Sequence, residues 1–307
     1  MLRFLLPRVA QSLLVVFGVL IIVFLMLHLV PGDPAQVLFG DAPVPKEQVE
    51  AVRHALGLDL PLHVQLERYV RRTLAGDLGR SLKTNRPVAG DLARAVPFTA
   101  ELAVAAMVLA IAGGVVFGIT SATSHNTWLD SGVSTVALLG ISFPTFWTGL
   151  LLIWIFSIKL EWFPITGQHS LRHLVLPAIT LGWYAGAIIA RLVRSGMLEV
   201  LRQDYVRTAR AKGVTEPRVL VWHALRNALI PVITVAGIQF GTLLGGTVVV
   251  ETVFARDGVG RMLVLAILQK DFPSVQGAVL ILALAYTFSN LIADLSYGFI
   301  DPRIHYT

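Results

Sequence analysis

The chain has 307 residues, 55% hydrophobic and only 14% charged, with 25 lysines and arginines against 19 acids for a net charge of +6. A soluble chain of this length carries nearer a quarter charged residues, so a water-soluble domain is excluded and a polytopic membrane protein is indicated. The absence of cysteine rules out disulfides and thiolate metal sites, and leaves the compartment undetermined by redox chemistry. A pI near 9.9 does not call for nucleic acid as a partner, because the basic excess lies at the edges of apolar runs, where membrane orientation accounts for it.

Crossing a hydrocarbon core takes about 20 apolar residues. Six stretches lack Asp, Glu, Lys and Arg for that long or nearly so: 9–32, 102–129, 131–158, 173–190, 227–250 and 272–293. The first follows Arg3 and Arg8, like a secretory leader. Its 24 uncharged residues exceed a leader core, however, and no small-residue cleavage site follows. It reads as an uncleaved first span. Residues 1–30 are therefore expected to form the N-terminus and helix 1, 31–97 an extramembrane insert, 98–298 the core of helices 2–6, and 299–307 a tail.

The insert holds nine basic and eight acidic residues and opens on the turn Pro31-Gly32-Asp33-Pro34. Apolar spacing predicts a helix from Pro45 to Leu56, a stop at Gly57, and a second helix from Pro61 to about Leu74. At roughly 67 residues it is small for a catalytic domain with its own core. A cap on the outer mouth, or a contact for an external partner, suits it better; Pro31, Gly32, Asp33 and Pro34 are the candidate gate or contact residues. Within the third stretch, Ser142-Phe143-Pro144-Thr145-Phe146-Trp147 predicts a kink, since proline removes a helical hydrogen bond and frees a carbonyl. Phe143, Pro144 and Trp147 either line a substrate path or pack in the core. The fourth stretch is the shortest and carries Gly182 and Gly186, which makes it the weakest span. Such small residues suit close helix approach in lipid, within a chain or between chains.

Residues 191–231 stand apart. Up to Arg226 they hold eight basic residues (Arg191, Arg194, Arg202, Arg207, Arg210, Lys212, Arg218, Arg226) against Glu199, Asp204 and Glu216. That is five of the six net charges. Gly213 divides the stretch into two helical pieces, with Thr215 and Pro217 as cap and first turn of the second. With six spans, this loop falls on the same side as both termini, and together these positions carry 11 of the 25 basic residues. The positive-inside rule places them in the cytoplasm. The expected element is a basic helical hairpin (loop 195–228) held against the inner membrane face.

Chemistry of the chain's own is hard to find. No lysine follows glycine, so there is no phosphate-binding loop. Neither His-Glu-x-x-His nor Gly-x-Ser-x-Gly occurs, and no catalytic residue is nominated. His169 and His173 have i, i+4 spacing but no third ligand nearby, so no metal site is assigned. Only His28 lies well inside a span; Glu101, Glu251 and Asp294 sit at span edges, where snorkelling to water is expected. So little buried charge disfavours a self-powered carrier. In the fifth stretch, Gln239, Thr242 and Glu251 either join helices or face a cavity.

The cytoplasmic loop resembles the signature of binding-protein-dependent ABC importer permeases: Glu-Ala-Ala, three residues, Gly, nine residues, Ile-x-Leu-Pro. Aligned on Gly213, Arg207-Thr208-Ala209 and His223-Ala224-Leu225-Arg226 fall on the two ends, and only Ala209, Gly213 and Leu225 match the general form. The local wording from Asp204 to Gly213, with His223 to Asn227, is similar to the dipeptide/oligopeptide/nickel branch. So are Gly76-Asp77-Leu78-Gly79-Arg80-Ser81, Glu251-Thr252-Val253-Phe254, Gly258-Val259-Gly260-Arg261 and Asp301-Pro302-Arg303. Arg256-Asp257-Gly258 departs from the branch, which often has proline before that glycine. The large insert resembles that of the first of the branch's two permeases.

The resemblance implies an all-α integral membrane fold with six transmembrane helices and a cytoplasmic coupling hairpin. It implies four kinds of partner: the lipid bilayer, a second homologous permease, two ATPase subunits that carry the ATP and Mg, and an extracytoplasmic solute-binding protein. This chain itself would bind no cofactor. The residues implied to engage the ATPase are Asp204, Tyr205, Arg207, Thr208, Ala209, Arg210, Ala211, Lys212, Gly213, His223 and Arg226. The expected cargo is short peptides, with nickel chelates, glutathione and haem as alternatives. The rival of another class is a self-contained secondary carrier.

Overall fold

The computed structural model describes residues 2–29, 45–168 and 170–300. The turn at 31–34 and His169 therefore lie outside the described residues. Among the described residues, five helices are long and apolar enough to cross a membrane, and a bent pair makes a sixth crossing if counted as one. In chain order they begin with α1 (Leu2–Leu29), followed in the insert by α2 (Lys46–Leu56) and α3 (Leu62–Leu74). Gly57 ends α2 in the left-handed region (φ 67°), the stop its sequence predicts.

The second crossing, α4, runs from Val88 to Thr123. It begins ten residues before 98, so the last part of the insert is a helical extension of that span. Among the described residues, two hydrogen-bonded joints hold the insert to the bundle. The His28 ring meets Gln65 of α3 at 3.1 Å. The Asp271 carboxylate accepts from the Ser81 hydroxyl at 2.6 Å and the Leu82 amide at 2.9 Å.

The third stretch does more than kink. Helices α5 (Trp128–Ser142) and α6 (Thr145–Lys159) meet at 116°. Phe143, preceding proline, is extended at φ −90°, ψ 138°, as the proline ring requires of its neighbour. Its N–H still reaches Leu139 O at 3.1 Å, but Pro144 has no N–H with which to carry the ladder on. The helix breaks where a kink was expected.

The fourth stretch, the weakest by sequence, becomes α7 (Arg172–Val200), the most internal helix. Leu176, Leu181, Ala185, Ile189, Val193 and Met197 are all buried along it. Its glycines are there for proximity. A Cβ on Gly182 would lie 2.5 Å from Ala106 O, and one on Gly118 would lie 2.5 Å from Val193 Cβ. The pairs Gly114/Gly118 and Gly182/Gly186 thus serve contact between α4 and α7 within the chain. After α7 come α8 (Asp204–Ala211), the 38-residue helix α9 (Glu216–Val253), the short α10 (Val259–Leu268) and α11 (Phe272–Ile300). Arg8 of α1 and Asp294 of α11 pair at 3.1 Å, both about 40% exposed.

Candidate coupling hairpin and its supports

Helix α8 is eight residues long and strongly two-faced. Val206 and Ala209 are buried and pack on Val219 of α9, with Val200, Leu201 and Val214 around them. Asp204, Tyr205, Arg207, Thr208, Arg210, Ala211 and Lys212 form its exposed face. The C-terminus closes with two bonds, from Gly213 N to Arg210 O (2.9 Å) and from Val214 N to Ala209 O (3.2 Å). That is the Schellman pattern, and it places Gly213 at φ 80°, a region costly for any residue with a Cβ. The open space around Gly213 leaves backbone conformation as the reason for glycine.

The hairpin is tied at both ends of its turn. Arg210 grips Glu216 through Nε–Oε2 (3.1 Å) and Nη2–Oε1 (2.6 Å), and this carboxylate raises the pKa of the already basic guanidinium. The Tyr205 hydroxyl accepts from Asn227 Nδ2 at 2.7 Å and donates to His223 O at 3.3 Å. His223 therefore contributes its carbonyl, while Arg226 remains exposed. Thr208 donates to Asp204 O within α8, and Arg207 lies 3.6 Å from Asp204.

The second piece of the hairpin is not a separate helix. Thr215 occupies the cap position without a side-chain hydrogen bond, and the chain from Glu216 runs unbroken into the fifth crossing. Residues Val219–Leu225 of that run are π-helical, a local widening frequent at functional sites.

One support went unread in the sequence. Asp130, 5% exposed, joins three elements beside the hairpin. It accepts from Arg194 Nε and Nη2 of α7, both at 2.8 Å, from the Ser121 hydroxyl of α4, and from Asn126 N at 3.1 Å. His125 Nδ1 lies 3.3 Å away. The available signal was Thr127-x-x-Asp130, a capping-box spacing at the start of α5; Thr127 Oγ1 indeed accepts from Asp130 N at 3.4 Å. Replacing Asp130 by Asn turns a donor toward Arg194. We expect about 2–3 kcal/mol of lost stability, read as a lower thermal unfolding midpoint in detergent.

The residues nominated for a path do not form one set. Phe143 and Trp147 are partly exposed and in tilted ring contact, with centroids 4.3 Å apart. Pro144 is exposed next to them; on α9, Thr242 is exposed and Gln239 is buried. Glu251 departs from expectation. Instead of snorkelling it is fully buried, and its Oε2 accepts from Gly260 N (2.8 Å) and Arg261 N (3.2 Å). These are the second and third residues of α10, so Glu251 caps that helix from a distance. Arg256, 1% exposed, donates to Glu101 Oε2 at 2.8 Å. Glu101 is paired as well, although it sits at the membrane edge.

A broken third crossing, a buried fourth and an exposed basic hairpin at one end define a polytopic helical membrane protein. Two family models cover the chain. Residues 1–103 match the N-terminal region of the binding-protein-dependent transport system membrane component, and residues 114–306 match the binding-protein-dependent transport system inner membrane component. The chain belongs to this family and is an inner-membrane component of a transport system. A glutathione transport system permease protein, GsiC, of Salmonella paratyphi A is 45% identical over 307 residues, covering 100% of both chains. A Brucella suis protein named for a peptide transport system is 45% identical over 309 residues, 98% of each. The fold is also that of solved ABC transporters. The inward-facing MetNI methionine transporter matches 68% of this chain and 96% of its own, with TM-score 0.56 and 20% identity. An amino acid ABC transporter matches 70% and 94%, with TM-score 0.52 and 14% identity.

Proposed function

We propose that this chain is one of the two permease halves of an ABC importer for short peptides, glutathione-like tripeptides included. The observation that carries it is the α8 hairpin, whose polar, basic face is exposed while its apolar face is locked to the start of a 38-residue crossing helix. Support for the cargo comes from the relatives, named for glutathione and for peptide transport; glutathione is itself a short peptide. In this reading the hairpin and both termini face the cytoplasm, in keeping with their share of basic residues. α8 seats in a groove on an ATPase subunit, where Arg207 and Lys212 meet acidic side chains. ATP and Mg act on the two ATPase subunits, and their closure pulls α8 and rocks α9 between inward- and outward-open states. A solute-binding protein delivers cargo at the opposite end, where the insert and α10 lie. Phe143, Pro144, Trp147, Gln239, Thr242 and Glu251 are the candidate path residues, Glu251 in addition to its place at the start of α10. The 31–34 turn is kept as a candidate outer gate.

The test is reconstitution. The chain with its second permease and ATPases in proteoliposomes should accumulate labelled glutathione or a dipeptide only with ATP inside and binding protein outside. Uptake by the purified chain alone, without ATP, would overturn the assignment in favour of a secondary carrier.

A further inference from the structure

Two cavities lie next to one another on the face made by α4, α5 and α7. The first, of about 350 Å³, is polar on one side, lined by Ser121, Ser134, Arg191, Arg194 and Ser195. The second, of about 290 Å³, lies farther along the helices from the hairpin, and its wall is almost entirely apolar, with Gly182, Trp183 and Gly186 along α7. Phe117, Ala137 and Ala190 line both, so the polar compartment and the apolar groove adjoin along these three residues.

The charge balance of the polar compartment is simple. Arg194 is taken by Asp130, and the two cancel. Arg191, three residues earlier on the same helix, is exposed and makes no ion pair among the described residues. One positive charge is left at the mouth of the compartment. Ser121 lies two residues from the end of α4, and Ser134 lies six residues into α5. The compartment is therefore at the level where an apolar crossing meets the interface. A soluble anion would satisfy Arg191 and leave the groove unused; a bare hydrocarbon would do the reverse.

We propose that this is a phospholipid site, with the phosphate on Arg191 beside the Ser134 and Ser195 hydroxyls, and one acyl chain along Phe117, Ala137 and Ala190. A guanidinium suits phosphate because it donates two parallel hydrogen bonds, and basic pockets between membrane helices hold anionic headgroups in this way. The bound lipid bridges α4, α5 and α7 beside the Asp130 junction. It thereby ties the composition of that leaflet to the elements that support the hairpin. The site requires only that the chain sits in a membrane and is independent of the cargo.

The test uses the assembled transporter in vesicles of phosphatidylethanolamine with a minor fraction of phosphatidylglycerol. That fraction includes a phosphatidylglycerol probe carrying a diazirine in one acyl chain, and labelled peptides are mapped after irradiation. Labelling should concentrate on the α4, α5 and α7 segments around Phe117, Ala137 and Ala190. It should fall by roughly tenfold in Arg191→Gln, the loss expected for one charge-assisted contact, and return in part with Arg191→Lys. Ala137→Phe, which fills the groove and leaves the arginine in place, should lower it too. Unlabelled phosphatidylglycerol should compete, and glycerophosphate should not. Labelling spread evenly over all lipid-facing helices overturns the site, as does full competition by glycerophosphate, which would mark a soluble-anion pocket. Cross-links from this face to the second permease in place of lipid overturn it as well.

Discussion

Replacing Gly213 by arginine is expected to abolish ATP-driven uptake by the assembled transporter while the chain still inserts and assembles. The left-handed backbone there costs any residue with a Cβ about 1–2 kcal/mol, a factor of roughly 5–30 in an equilibrium that depends on the hairpin's shape. Within the chain itself nothing obstructs a side chain at this position. Gly213→Ala therefore carries the backbone cost alone, and should leave reduced but measurable uptake. Gly213→Arg adds bulk and charge to a surface that, in the proposed assembly, is enclosed by the ATPase. Paired assays of uptake and of ATPase stimulation separate the two terms. Equal behaviour of the alanine and arginine variants would show that no partner encloses the turn, and the coupling role would fail with it.

The second large effect is expected at Glu251. Its carboxylate satisfies the amides of Gly260 and Arg261 inside a pocket with no access to water. A Cβ on Gly258 would come within 2.2 Å of that carboxyl group, and one on Gly260 within 2.4 Å of Val248 Cα. The packing around the intact carboxylate is thus tight. Glu251→Ala should therefore leave two buried donors unpaired beside the buried Arg256, at a cost of about 3–5 kcal/mol. Glu251→Gln keeps an acceptor oxygen for the two amides but loses the charge favoured at a helix N-terminus and puts an NH2 group where Oε1 has no partner, together about 1–2 kcal/mol. Thermal unfolding of the purified complex should order wild type, Gln and Ala in that sequence. If the alanine variant unfolds like wild type while uptake collapses, Glu251 belongs to the transport path and the capping role is wrong.

Most of the membrane layout was legible because it depends on local composition. An uncharged run long enough to span the bilayer has few alternatives to a helix, and Gly213 ends α8 through a preference confined to its own backbone. The same holds for Gly57 and α2. The strength of the break at Pro144 was underestimated, since proline restricts its predecessor as well as interrupting the ladder. The fourth crossing was undervalued for a related reason. Glycine lowers helix propensity in isolation, but at Gly182 it is the condition for backbone contact with Ala106.

What escaped the sequence has long-range partners. Asp130 meets Arg194 across 64 residues and Glu101 meets Arg256 across 155; no spacing rule connects such positions. Glu251 and Gly260 are nine residues apart, yet only the reversal between α9 and α10 aims that carboxylate at a helix start. Composition and local turn chemistry alone settle that this chain crosses a membrane several times and carries a basic hairpin, because hydrophobic length and backbone preference act within a few residues. Which of its charges are buried supports and which remain free at a surface was decided by packing, because the cost of an unpaired buried group depends on neighbours brought together from distant parts of the chain.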